Sequence, residues 1–232
     1  MASRRVVNGV LQLASAASNA YLLDGGDGLV LVDTGLRGRA AELRREIDKA
    51  GRTVARDLAA IAVTHAHADH AGSLAQLADT YRVPVLAGIL DAPAIRRGGM
   101  PPKPTPTGFV GRIMAPLSQR VDVDACRVDI EVGDGDGVPG APGLRALHTP
   151  GHTPGHTSFL WPEEGGVLFA GDVAVHVLGL RESFVHADRE QATATLGRLA
   201  ALDFEVAVFG HGPPITRRAT ARFRRLVEKL AR

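Results

Sequence analysis

Ile61-Ala62-Val63-Thr64 runs directly into His65-Ala66-His67-Ala68-Asp69-His70, and the reading of this stretch decides the fold. The apolar run reads as a strand. In extended backbone, residues i and i+2 point to the same side, so His65 and His67 can grip one ion together. Asp69 and His70 fall where the chain turns into the apolar-periodic stretch Ala71 to Tyr81. They point elsewhere and can hold a second ion. The stretch is a nucleus for two metals.

Further ligand candidates appear downstream, each at the end of its own strand. Leu144-Arg145-Ala146-Leu147 leads into Thr149-Pro150-Gly151-His152-Thr153-Pro154-Gly155-His156. Val167 to Ala170 leads into Gly171-Asp172, and Glu205 to Phe209 into Gly210-His211. Short β runs that end in Gly plus His or Asp put imidazole and carboxylate on tight loops, where a sheet edge can collect them. An early strand ends in Val32-Asp33-Thr34-Gly35. His152 and His156 both follow Gly, so the residues alone leave open which of them is the ligand. Neutral imidazole and carboxylate together suit Zn, Fe or Mn.

These motifs, in this order, resemble those of the metallo-β-lactamase superfamily over nearly the whole chain. The resemblance implies a first metal site of His65, His67 and His152, and a second of Asp69, His70 and His211. It implies that Asp172 bridges two divalent ions, zinc foremost, with iron or manganese as alternatives. It leaves His156 as a supporting residue and Asp33 as a group that orients a ligand or its loop. His176, four residues after Asp172, is a second candidate catalytic residue beside Asp69. The resemblance also supplies an α/β architecture, a four-layer αββα sandwich, because periodicity alone shows only alternating elements.

Two metals sharing a water bring its pKa towards neutrality and yield a hydroxide, and one ion can hold a developing oxyanion. Asp69 is placed to orient that hydroxide and to carry its proton to the leaving group. Hydrolysis of a small ester, lactone or thioester is the expected reaction. The His-x-His-x-Asp-His stretch is similar to that of one β-lactamase subclass, whose members lack a counterpart of Asp172 and are exported. Thioesterases of the glyoxalase II type share all seven ligands but add a C-terminal glutathione-binding domain, and 21 residues follow His211 here. Acyl-homoserine lactonases place a tyrosine just after the bridging Asp, where this chain reads Val173-Ala174-Val175-His176. A persulfide dioxygenase with one iron is the alternative reading, ahead of a β-lactamase or a phosphodiesterase.

The length of 232 residues fits one domain, and the resemblance implies a single metallo-β-lactamase-like domain over residues 1–232. A net charge of +2, from 27 basic and 25 acidic residues, demands neither nucleic acid nor a membrane as partner. The expected partner is a small-molecule substrate, with oligomeric state open. Cys126 is the one cysteine, so no internal disulfide forms, which fits a reducing, cytoplasmic location. Arg4 and Arg5 before Val6 to Leu13 superficially resemble an export signal, but Asn8, Gly9 and Gln12 interrupt the apolar run. The segment continues into a strand, a Gly/Asp-rich turn and a strand, over Asn19 to Leu23 and Leu29 to Val32.

Helical spacing recurs at Ala40, Leu43, Ile47 and Ala50, and at Leu74, Leu77, Ala78 and Tyr81. A short strand is expected over Val83 to Leu86, and others ending at His148, Trp161 and Ala170. Asp188 with Gln191 three residues on predicts a capped helix start. The last helix turns Ala219, Phe223, Leu226 and Leu230 inward. Its basic stripe, Arg218, Arg222, Arg225, Lys229 and Arg232, reads as a solvated face. Between Pro93 and Pro116 stand six of the 14 prolines and no obvious element. The resemblance lays this 93–116 loop over the active site, with Phe109, Ile113 and Met114 in reach of substrate.

Overall fold

Two sheets face each other in the computed structural model, which describes residues 3–14, 18–49, 57–99, 105–106 and 123–232. The first half of the chain gives β1 (Arg4–Val7), β2 (Val10–Ala14), β3 (Asn19–Asp24), β4 (Leu29–Val32), α1 (Ala40–Lys49) and β5 (Leu58–Val63). It continues through α2 (Ala68–Ala71), α3 (Leu74–Tyr81), β6 (Val85–Gly88), α4 (Ala92–Arg97), β7 (Thr105–Pro106) and β8 (Ile130–Val132). The second half gives β9 (Gly137–Val138), β10 (Ala141–His148), β11 (Thr157–Trp161), β12 (Val167–Phe169), β13 (Ala174–His176), β14 (Leu180–Glu182) and β15 (Val185–His186). After these come α5 (Arg189–Ala200), β16 (Val206–Val208) and α6 (Ala219–Leu230). One sheet runs β1-β2-β3-β4-β5-β6-β8 and the other β16-β12-β11-β10-β9.

Period-two alternation explains the layering. On β5, Ile61 and Val63 meet α1 residues Leu43 and Ile47 and α3 residues Leu74 and Leu77 on the outer face. The alternate residues Ala60 and Ala62 face the other sheet, in one cluster with Tyr21, Leu23, Phe159 and Phe169. On the far sheet, Leu168 and Ala207 pack outward against Leu196, Leu199 and Phe223 of the two C-terminal helices. The result is the four-layer αββα sandwich. Strands covered on both faces read as continuous apolar runs, which is why the stretch before His65 carries no alternation. Phe159 and Phe169 are 0% and 1% exposed between the sheets, and cutting either to Ala costs about 3–5 kcal/mol.

Local chemistry sets several element ends. Asp188 caps α5 by accepting from the Gln191 N–H at 3.0 Å, as the sequence predicts. Asn8 and Gly9, read above only as interruptions, turn a hairpin of their own between β1 and β2, with Gly9 at φ 75°. The 93–116 stretch is not devoid of elements. Pro93 stands in the first turn of α4, where its missing N–H is harmless. Thr105–Pro106 pairs antiparallel with Val185–His186. Phe109, Ile113 and Met114 lie outside the described residues. Cys126 is buried, and burial pushes its thiol up to about 11, so it is no nucleophile. No helix among the described residues is long and apolar enough to cross a membrane.

Candidate metal centre

Strands β5, β10, β12 and β16 deliver His65, His152, Asp172 and His211 just beyond their ends, so one rim of the sandwich collects them. His65, His67 and His152 offer nitrogen atoms that lie within 4.8 Å of one another. Hydrogen bonds fix which nitrogen His65 and His152 present. The Thr64 hydroxyl stands 2.8 Å from Asp33 Oδ2 and donates to it. Its oxygen, 3.0 Å from His65 Nδ1, therefore accepts from that ring and leaves Nε2 bare. His152 Nδ1 donates to the Val185 carbonyl at 2.8 Å, so its Nε2 is also bare. That Nε2 lies 2.9 Å from His67 Nδ1.

The second set is built around carboxylates. His70 Nδ1 donates to Asp33 Oδ2 at 2.8 Å, which turns Nε2 towards Asp69 Oδ2 at 3.7 Å and Asp172 Oδ1 at 3.5 Å. His211 Nε2 stands 3.2 Å from both Asp69 Oδ2 and Asp172 Oδ2. Asp172 Oδ2 also lies 3.7 Å from His152 Nε2, so one carboxylate reaches both sets. The Thr34 N–H and hydroxyl both donate to the His70 carbonyl, and the Ser18 hydroxyl to that of Asp69. Gly210 supplies room rather than a turn. A Cβ there would lie 2.1 Å from Asp172 Oδ1 and 2.4 Å from His70 Cε1.

Electrostatics divide the two sets. Burial, reinforced by the neighbouring rings, holds His65 well below the ordinary imidazole value and His152 down at about 3. Burial also lowers His67, although Asp69 pulls the other way. His70 is buried too, but Asp69, Asp172 and Asp33 outweigh that and raise it to about 9. His211 is raised well above its ordinary value against the effect of burial, by Asp172 and Asp69. Burial works to raise Asp172, yet His211 and His70 hold it far down.

The donor set fits divalent metal. His65 Nε2, His67 Nε2, His70 Nε2 and Asp172 Oδ1 are all buried without a hydrogen-bond partner. A buried polar atom left unsatisfied costs about 1–3 kcal/mol, and these stand together in one cleft. Imidazole nitrogen with carboxylate oxygen is the ligand chemistry of Zn, Fe and Mn. His65, His67 and His152 would hold one ion, and Asp69, His70, His211 and Asp172 a second.

His156 is placed differently from His152. Its Nε2 accepts from the Asp172 N–H at 2.9 Å, and its Nδ1 donates to Thr149 Oγ1 at 2.7 Å. Both nitrogens are taken, so it orients the Asp172 loop. Asp33 adopts a left-handed backbone, φ 62°, and its carboxylate accepts from Thr64 N, Thr64 Oγ1 and His70 Nδ1. Such a conformation persists where surrounding bonds over-determine it. His176 comes near the site through its backbone, whose N–H donates to the His211 carbonyl at 3.0 Å. Its Nδ1 lies 2.8 Å from the Pro213 carbonyl and donates to it. Sequence reasoning missed Asp91, whose carboxylate joins the His65 and His152 loops, and Ser183, whose hydroxyl is 3.2 Å from His152 Nδ1. Asp33 and His156 are the members of this supporting layer that the sequence reading named.

A family profile described as the metallo-beta-lactamase superfamily matches residues 16–211. A probable metallo-hydrolase of Bacillus subtilis, YflN, is 28% identical over 176 residues, covering 68% of this chain and 66% of its own. The lactamase-like protein aptB of Emericella nidulans is 31% identical over 198 residues, covering 85% of this chain and 52% of its own. The chain thus spans just under two thirds of one curated relative and about half of the other. Among solved structures, BJP-1, a subclass B3 metallo-beta-lactamase of Bradyrhizobium japonicum, superposes with a TM-score of 0.76. It is 23% identical, over 100% of this chain and 91% of that one, a likeness of fold.

Proposed function

This chain belongs to the metallo-beta-lactamase superfamily, and from that premise we propose that it is a metal-dependent hydrolase of a small ester, lactone or thioester. The observation that carries the reading is the placement of Asp172. Its Oδ1 lies 3.5 Å from His70 Nε2, while its Oδ2 lies 3.7 Å from His152 Nε2 and 3.2 Å from His211 Nε2. One carboxylate between two ligand sets supports a pair of divalent ions, zinc foremost. When bound, such a pair supplies a Lewis acid for a carbonyl oxygen and acidifies water at neutral pH.

The protein's own part is positional. Asp33, Thr64, Val185 and His156 orient the ligand rings and the Asp172 loop. Asp69 keeps its side chain 28% exposed, against 7% for Asp172, so it is the carboxylate open to the cleft. We assign it to orient the attacking water and to pass a proton to the leaving group. His176 anchors the His211 loop through its backbone. The pairing of Thr105–Pro106 with Val185–His186, next to the carbonyl that holds His152, supports the 93–116 segment as a cover over the His152 side. Phe109, Ile113 and Met114 would then meet substrate. A lone thiol and modest net charge fit a small-molecule enzyme of the cytoplasm.

The test is elemental analysis of protein purified without added metal, followed by a panel of esters, lactones, thioesters, a β-lactam and a phosphodiester. About two ions per chain are expected, with turnover of at least one carbonyl ester or thioester and loss of it with chelator. Oxygen uptake with glutathione persulfide, one tightly held iron and no ester turnover would replace the hydrolase with a dioxygenase.

A further inference from the structure

We infer that Asp91 is a positioning residue that holds the two halves of the first metal set in register. The inference rests on His65, His67 and His152 forming the metal site proposed above. These ligands come from loops on different sheets, yet His67 Nδ1 and His152 Nε2 stand only 2.9 Å apart. Something must lock the loops to that precision, because a ligand set works only when held within about 0.5 Å of its geometry.

The Asp91 carboxylate is placed to do it. It is 1% exposed. Its Oδ2 accepts from the N–H of Ala66, between His65 and His67, at 3.0 Å, and from the hydroxyl of Thr153, beside His152, at 2.7 Å. Its Oδ1 accepts from the Gly155 N–H, further along the His152 loop, at 2.8 Å. Three hydrogen bonds converge on this one carboxylate from both loops. The approach is so close that only glycine fits at 155. A Cβ there would lie 2.2 Å from the Asp91 N and 2.7 Å from its Oδ1. Asp91 is itself fixed, because its N–H donates to the Gly88 carbonyl at the end of β6 and its carbonyl accepts from Ala94 and Ile95 in α4.

Asp91→Asn separates charge and acceptor number from shape. Whichever way the amide turns, its NH2 meets a backbone donor, Ala66 N–H on one side or Gly155 N–H on the other. Gly155→Ala disturbs the same clamp from the opposite loop. Thr153→Val removes one of the three bonds at nearly constant volume, and keeps the test alive if the harsher variants do not fold.

Zinc affinity is measured by competition with a chromogenic chelator, and cobalt substitution gives the ligand-field spectrum. Both are run in the native protein and with His70→Ala, which isolates the first set. We expect Asp91→Asn to weaken the first set by about 10–100-fold and to shift its cobalt spectrum. Gly155→Ala should act in the same direction, Thr153→Val should have a smaller effect, and second-set affinity should not move. Native protein that binds two ions, with first-set affinity unchanged in Asp91→Asn and Thr153→Val, overturns the clamp and leaves the metal reading intact. Equal weakening of both sets, following the melting temperature of the metal-free protein, reduces Asp91 to a general structural role and also overturns it. If the native first set takes up no zinc or cobalt, the clamp and the metal reading fall together.

Discussion

The two ligand sets share a rim and are electrically opposite. His65, His67 and His152 gather imidazoles with no carboxylate of their own, and burial keeps them neutral. His70 and His211 face Asp69 and Asp172, which hold protons on both rings in the metal-free protein. The first set is ready for a cation, its bare nitrogens already turned inward. The second is an ion-paired cluster, and a cation must displace protons to enter it. Similar residue types thus give one site kept neutral by burial and one held together by ion pairs.

Ligand deletion gives the largest contrast. His67→Ala removes one of three neutral donors and should abolish turnover, with the first ion lost on dialysis. His211→Ala should empty mainly the second set, while Asp172→Ala should loosen both ions, read by elemental analysis. Equal metal loss from His67→Ala and His211→Ala would break the division between the sets.

The next contrast is with pH. His70, raised to about 9, is charged at neutral pH and must lose its proton on binding metal. Second-set affinity should therefore climb as pH rises through about 9, with His211 adding to the climb, whereas first-set affinity stays flat from about 6.5 upward. Calorimetry in buffers of different ionisation enthalpy should show protons released only by the second ion. Metal-free stability moves the other way. The raised His70 value contributes stability that is full below about 6.5 and is lost as pH passes through about 9. Its absence in His70→Ala makes that loss measurable by denaturant midpoints.

The smallest effect sharpens the comparison from outside. Asp33→Asn exchanges the carboxylate that accepts from His70 Nδ1, and should weaken the second ion by about 10–100-fold. Asp33 also accepts from Thr64, which orients His65, so a lesser weakening of the first ion is expected. A first ion weakened more than the second would reverse the assignment of Asp33 to His70.

The candidate ligands were legible because the residues that mark them are local in sequence. His65 and His67, like Gly171-Asp172 and Gly210-His211, need only a strand that ends just before them. The four layers followed from a resemblance, and burial of β5 on both faces shows why pattern alone was mute. Asp91 was illegible because no motif marks it, and its partners are backbone N–H groups 25 and 64 residues away. Helix α4 hid behind its punctuation, since Pro93 and Gly98 read as loop residues but stand at the two ends of a helix. The two-residue pairing of Thr105–Pro106 with Val185–His186 is too short to leave a hydrophobic pattern.

Tyr21 carries a consequence for the order of folding. Its buried hydroxyl donates to the Phe209 carbonyl at 2.7 Å and accepts from the Phe209 N–H at 3.2 Å, across 188 residues of chain. Asn19 adds bonds to Phe209 and Gly212. Two residues after Phe209 stands His211, so the second set is complete only once the opening strands and the closing strand have met. His67 and His152 are 85 residues apart, a shorter loop to close. Contacts between distant segments form slowly. In a refolding mixture, cobalt should colour the first set early and the second only at the last docking step, so the centre works as a clock for its own assembly.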